Sequence, residues 1–130
     1  MIAVDTNVLV RLLAKDDEEQ YRSSYKLFQS EEIYISDTVI LETEWVLRFV
    51  YEFNPAQVVS GLERVFGLFN VHLSNPQKIL QVLKWHTVGF DFVDALHLAS
   101  CPDTCKSFKT FDQKLIKQSK KVTSQRVDKP

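Results

Sequence analysis

The sequence is short of the residues that mark several protein classes. It has only two cysteines, Cys101 and Cys105. A secreted disulfide framework uses more of them in so short a chain. Their spacing is neither that of a CxxC redox motif nor half of a zinc site, so both are expected to be ordinary thiols. Glycine (3) and proline (4) are few, which excludes collagen-like and long low-complexity stretches. No apolar run approaches the roughly 18–20 residues of a membrane span. The opening Met1-Ile2-Ala3-Val4-Asp5 has no basic or apolar leader pattern, so a cytoplasmic setting is expected. Net charge is nearly absent too, at −1, which does not suit a protein that coats nucleic acid non-specifically.

What is present is ordinary for one globular domain: 130 residues, 45% hydrophobic and 25% charged. We therefore expect residues 1–130 to form a single domain. The small net charge hides an asymmetry. Residues 1–105 carry 8 Lys+Arg against 15 Asp+Glu, whereas residues 106–130 carry 8 against 2. The basic end, about residues 119–130, reads as an edge strand or a solvated tail.

Punctuation along the chain is regular. Ile2-Ala3-Val4, Ile33-Tyr34-Ile35, Val71-His72-Leu73 and Ser107 to Phe111 read as short strands, with an edge strand expected within Val122 to Val127. Helices are predicted from Val8 to Leu13, up to about Ser30, from Ser36 or Asp37 to about Glu52, and from Asn54-Pro55 to about Phe66. Others are predicted from Asn75-Pro76 to about Val88, from Asp91 to near Cys101, and after Asp112. Asn followed by Pro is a cap and a first helical residue. Apolar strands alternating with helices of about 10–15 residues predict an α/β fold with a parallel sheet, apolar on both faces.

Ligands of open parallel sheets bind at the C-terminal strand ends. Asp5 and Asp112 sit there, although Asp is equally suited to capping the helices that follow. Thr6 and Asn7 are placed to orient the Asp5 carboxylate. Glu42 shares a helical stripe with Val39, Val46 and Phe49. Asp94 is on a stripe with Phe90, Leu98 and Cys101. A carboxylate facing a core is costly unless paired or metal-bound. Arg11 or Arg48 could pair with Glu42, whereas no basic residue is placed locally for Asp94. Glu44, two positions from Glu42, is expected at the surface, and Asp91 is expected to cap the helix that carries Asp94.

If Asp5, Glu42, Asp94 and Asp112 converge, repulsion is severe: two carboxylates about 4 Å apart cost roughly 4 kcal/mol at an effective dielectric near 20. Mg²⁺ or Mn²⁺ would relieve it and suits phosphodiester hydrolysis. Lys109 and Lys114, near Asp112, and Arg11, after Asp5, are candidate contacts to an RNA backbone, or serve solubility alone.

The chain resembles PIN-domain proteins, in particular the VapC-type toxins of bacterial toxin–antitoxin pairs. The resemblance rests on Ile2-Ala3-Val4-Asp5-Thr6-Asn7-Val8-Leu9-Val10-Arg11, Leu41-Glu42-Thr43-Glu44-Trp45-Val46-Leu47, Asp91-Phe92-Val93-Asp94-Ala95-Leu96-His97 and Thr110-Phe111-Asp112. It implies a three-layer α/β/α fold around a short parallel sheet of four to five strands, and an Mg²⁺- or Mn²⁺-dependent endoribonuclease. By motif position, Asp5 and Asp94 would be the principal metal ligands. Glu42 would complete the acidic catalytic site, and Asp112 would bind metal directly or through water. Asn7 and Thr110 would orient ligands or water. The resemblance also implies an RNA substrate, a homodimer and a cognate VapB-like antitoxin. The alternative is a PIN-fold binding module, catalytically silent, acting in a repressor complex. A phosphatase with an aspartyl nucleophile would also place an Asp after the first strand, but it needs a second acid where this chain has Asn7.

Overall fold

Asn54-Pro55 does what its chemistry dictates. The Asn54 side chain accepts from the Gln57 amide while the Gln57 side chain accepts from the Asn54 amide, each at 2.8 Å, and the helix starts at Pro55. Local signals of this kind set the order of elements in the computed structural model, which describes residues 1–130. That order is β1 (Ile2–Ala3), α1 (Thr6–Ala14), α2 (Glu18–Ser30), β2 (Ile33–Ile35), α3 (Asp37–Phe49), α4 (Pro55–Phe66) and β3 (Val71–Leu73), then α5 (Pro76–Thr87), α6 (Phe92–Ala99), β4 (Phe108–Lys109), α7 (Gln113–Ser119) and β5 (Val127–Asp128). The fold is α/β with parallel pairing throughout, as the alternation predicts and as a PIN-like three-layer α/β/α fold requires. The chain divides into two compact units, Met1–Pro76 and Gln77–Pro130.

The first unit is built on a three-stranded sheet in the order β1-β2-β3. Ile2 pairs with Ile33, and Ile33 with Val71. Two helices cross over between each pair of strands, and α1 packs against α2 and α3. Ile33 and Ile35 of the central strand are fully buried, together with Leu9, Ile40, Leu47 and Leu62. The expectation of strands covered on both faces holds for β2 but not for β1: Ile2 and Ala3 are exposed, and burial begins only at Val4.

Helix α3 ends at Phe49 rather than near Glu52. Glu52 takes a left-handed conformation (φ +57°) and the Phe53 amide donates back to the Leu47 carbonyl at 2.9 Å. That reversal is a helix stop usually made by glycine, so the sequence does not announce it.

In the second unit, α5 and α6 bury Ile79, Val82, Phe92, Ala95 and Leu98. The buried His86 shares a 2.7 Å hydrogen bond between Nδ1 and the Phe90 carbonyl and sets its ring edge-on to Phe92. Strands β4 and β5 form a parallel pair around α7. The edge strand expected within Val122 to Val127 begins only at Val127 and is two residues long, Val127–Asp128.

Candidate functional site

In Met1–Pro76, the chemistry begins where β1 gives way to α1. Asp5 is exposed and caps α1, accepting from the amides of Asn7 at 3.1 Å and Val8 at 3.4 Å. Thr6 is buried and its hydroxyl donates to the Glu42 carboxylate of α3. Thr6 therefore links the residue next to Asp5 with Glu42. Asn7 is exposed.

Helix α3 corrects the reading of its own faces. Its buried side is Ile40, Thr43, Glu44 and Leu47, whereas Glu42 is exposed along with Phe49. The stripe of Val39, Glu42, Val46 and Phe49 is not the core face. Glu44, expected at the surface, is wholly inaccessible to solvent. Arg48, one turn on, reaches it with Nε at 2.7 Å and a second guanidinium nitrogen at 3.2 Å. A buried carboxylate held by two charge-assisted hydrogen bonds is tolerated where an unpaired one is not. Counting apolar residues alone therefore selects the wrong face. An acid followed four residues later by Arg was the signal available, and it pointed to Glu44 rather than Glu42.

Arg48 thus serves Glu44. Arg11 belongs to another network, donating to Gln20 at 2.6 Å and to the Tyr51 hydroxyl at 2.9 Å while pairing with Asp16 at 3.4 Å. The Tyr51 hydroxyl donates to the other Asp16 oxygen at 2.6 Å, and this hydrogen bond holds the Asp16 carboxyl below its ordinary range.

In Gln77–Pro130, Asp91 caps α6, accepting from the Asp94 amide at 3.1 Å. Asp94 is half-buried one turn into the helix, on the side where Phe90 and Leu98 are buried. Burial raises its pKa first, and the charges of Asp91 and Asp112 raise it further, against a smaller opposing effect of the exposed His97. No lysine or arginine of this unit pairs with it.

Asp112 is exposed and caps α7 through the Leu115 amide at 3.0 Å. Its own amide donates to the Thr110 hydroxyl at 3.0 Å, which leaves the Thr110 hydroxyl proton free to donate elsewhere. Gln118 of α7 donates to the Gly89 carbonyl at 3.1 Å, tying α7 to the loop before α6. This tie sits between the elements that carry Asp94 and Asp112. Lys109 is engaged by Asp128 at 2.7 Å, whereas Lys114 is exposed.

No group of three or more His, Cys, Asp or Glu side chains is arranged to hold a metal ion. The donors are nevertheless chemically suited to one. They are carboxylate oxygens, the preferred ligands of Mg²⁺ and Mn²⁺, and Mg²⁺ needs only one or two of them beside its waters. The mutual field of Asp91, Asp94 and Asp112, without a paired Lys or Arg, is one a hard cation would relieve.

The family model for the PIN domain matches residues 2–121. The chain belongs to the PIN-domain family. No curated relative and no solved structure matches it. The PIN domain is a nuclease fold whose members are generally metal-dependent hydrolases of nucleic acid. All four acids, Asp5, Glu42, Asp94 and Asp112, fall inside the matched PIN segment, as do Thr6, Asn7 and Thr110. No helix of this PIN protein is long and apolar enough to cross a membrane.

Proposed function

We propose that this PIN protein is a cytoplasmic, Mg²⁺- or Mn²⁺-dependent endoribonuclease, the toxin of a VapBC-like toxin–antitoxin pair, with residues 1–130 working as one nuclease domain. The observation that carries the reading is Asp94: half-buried, in the field of Asp91 and Asp112, and unpaired by any cation of its unit.

Asp5 and Asp94 would be the principal ligands of the metal, with Glu42 and Asp112 completing the acidic set. When bound, such a cation activates water and neutralises charge on a phosphodiester. The chain's own part is orientation. Backbone amides of Asn7 and Val8 fix Asp5, and the Leu115 amide fixes Asp112. The Thr6 hydroxyl fixes Glu42. Asn7 and Thr110 supply polar groups beside Asp5 and Asp112. Lys114 is exposed to meet an RNA phosphate, whereas Lys109 and Arg11 would have to release Asp128 and Asp16 to do so.

Exposed apolar residues support a protein that works against partners. On α3, the Trp45 and Phe49 rings meet at a tilt with centres 5.2 Å apart while remaining more than half exposed, and Phe69 is 94% exposed. Such groups suit a homodimer and a VapB-like antitoxin.

The absence of a ready three-ligand cluster favours the alternative, a catalytically silent PIN module in a repressor complex. One assay separates them: cleavage of labelled total RNA with Mn²⁺ or Mg²⁺ against EDTA, with Asp94→Asn prepared identically. The nuclease reading requires discrete, metal-dependent cuts by the wild type. Asp94→Asn should cut at least about 100-fold more slowly while melting at the same temperature or slightly higher, since a repelling charge is gone. Absence of cuts with either metal would sink the nuclease reading in favour of the silent module. Unfolding of the variant would make Asp94 structural.

A further inference from the structure

Residues 106–130 carry 8 basic residues against 2 acidic ones, Asp112 and Asp128. The structure commits both acids. Asp112 caps α7. Asp128 of β5 pairs with Lys109 at 2.7 Å through one oxygen and with Arg126 at 2.6 Å through the other. Five lysines on or beside α7 and β5, namely Lys114, Lys117, Lys120, Lys121 and Lys129, are exposed and form no ion pair.

The fold gathers three of them. Leu115 and Ser119 form the buried side of α7. Gln113, Lys117 and Lys120 follow one another at four and three positions, so they share an outward face. Helix α7 packs against β5, and Lys129 directly follows that strand. Lys117, Lys120 and Lys129 thus line one open depression of about 380 Å³ together with Gln113, Ile116 and Asp128. Its one carboxylate, Asp128, is already shared by two other cations.

Three ammonium groups around one depression repel one another, and a polyanion relieves them. The remainder of the chain, residues 1–105, has 15 acidic residues against 8 basic ones. Such a polyanion is therefore repelled elsewhere and drawn to this face. A second observation says which polyanion. Phe111, immediately before Asp112, is 79% exposed, so the core makes no use of its ring. A basic groove that tracks phosphates, with an open aromatic face on which a base stacks, is what single-stranded nucleic acid requires. Lys120 lies about 12 Å along the helix axis from Asp112, so a strand lying on α7 runs toward a proposed site acid.

We propose that the face formed by α7 and β5 holds single-stranded RNA, with Lys117, Lys120 and Lys129 on its phosphates and Phe111 stacked on a base beside Asp112. The inference rests on the nuclease reading, because it names where that reaction's substrate is held. These are positioning residues: phosphate contacts and stacking fix the strand and carry no base sequence.

The test follows the anisotropy of a labelled single-stranded RNA with the full chain in EDTA, over a range of salt. Binding is read there without any cutting. Lys117→Gln/Lys120→Gln/Lys129→Gln should bind roughly 100-fold more weakly at about 0.1 M salt, and its log–log salt slope should be shallower by about 2. Phe111→Ala should bind about tenfold more weakly at an unchanged slope, whereas Phe111→Trp should keep the affinity. Every substituted side chain is exposed, so melting temperatures should not move. Lys15→Gln/Lys26→Gln/Lys84→Gln removes the same charge elsewhere and should leave the slope as it is. If the two triple variants weaken alike, only net charge matters and the proposal fails. It also fails if wild type does not bind, or if the first triple variant keeps its RNA affinity and loses binding to phosphatidylserine vesicles instead. A wild type that binds through these residues yet cuts nothing with Mn²⁺ or Mg²⁺ would overturn the nuclease reading and leave this surface standing.

Discussion

Replacing Arg48 with Met would leave Glu44 as a fully buried carboxylate without its partner one turn away. Such losses cost about 3–5 kcal/mol, because the charge remains and its compensation goes. The Arg48 guanidinium also lies 4.3 Å from the Phe49 ring centre, so some packing is lost with it. The double change Glu44→Leu with Arg48→Met removes both charges and should recover most of that cost. Urea denaturation of the two variants decides it. If the double variant is no more stable than Arg48→Met alone, the ion pair is not what stabilises this face of α3.

Helix α1 concentrates two roles in one side chain. Asp5 caps it, and Asp5 is also a proposed metal ligand. The two roles separate because Asn caps as well as Asp, whereas Ala does not. Asp5→Ala should destabilise by about 1 kcal/mol, and Asp5→Asn by far less. Both should lose metal-dependent cleavage. If Asp5→Asn keeps full cleavage, the carboxylate serves as a cap only. Helices α6 and α7 begin on Asp91 and Asp112 in the same way, so an Asp before a helix of this fold is a cap whether or not it has a chemical role.

Over the whole molecule, stability in acid follows from carboxylates held below their ordinary range. Asp16 is one, through the Tyr51 hydroxyl first and Arg11 last; Asp128 is another, through Lys109 and then Arg126. A depressed carboxyl pKa contributes stability that is fully present above the ordinary Asp value and is lost as pH falls through the folded value. Denaturation midpoints should therefore drop below about pH 4. Tyr51→Phe should flatten that drop while lowering stability at pH 7. An unchanged acid limb in Tyr51→Phe would show that Asp16 contributes nothing to it. In the same molecule Asp94 works in the opposite direction, its raised pKa favouring the protonated acid.

Much of the order of elements was legible in the residues themselves. Asn54-Pro55 and Ser36 start helices, and Ile33-Tyr34-Ile35 and Val71-His72-Leu73 are strands, at the residues where the sequence places them. Caps, prolines and short apolar runs act over a few neighbouring residues, so a chain read in isolation contains them. The acids could be named for the same reason, two at strand ends and two in helices. The inward side of α3 could not be named, because Arg48 makes the core accessible to a charged Glu44 and periodicity counts only apolar groups. Nor could the early stop at Glu52, a left-handed residue that is not glycine. The turn over residues 102–105 is closed through the Pro102 carbonyl and braced by Gln125, some twenty residues on. Elements and their chemistry are local properties and were set by sequence. Pairing of charges and exposure of a helix face depend on groups brought from elsewhere in the chain, and only the tertiary structure decided them.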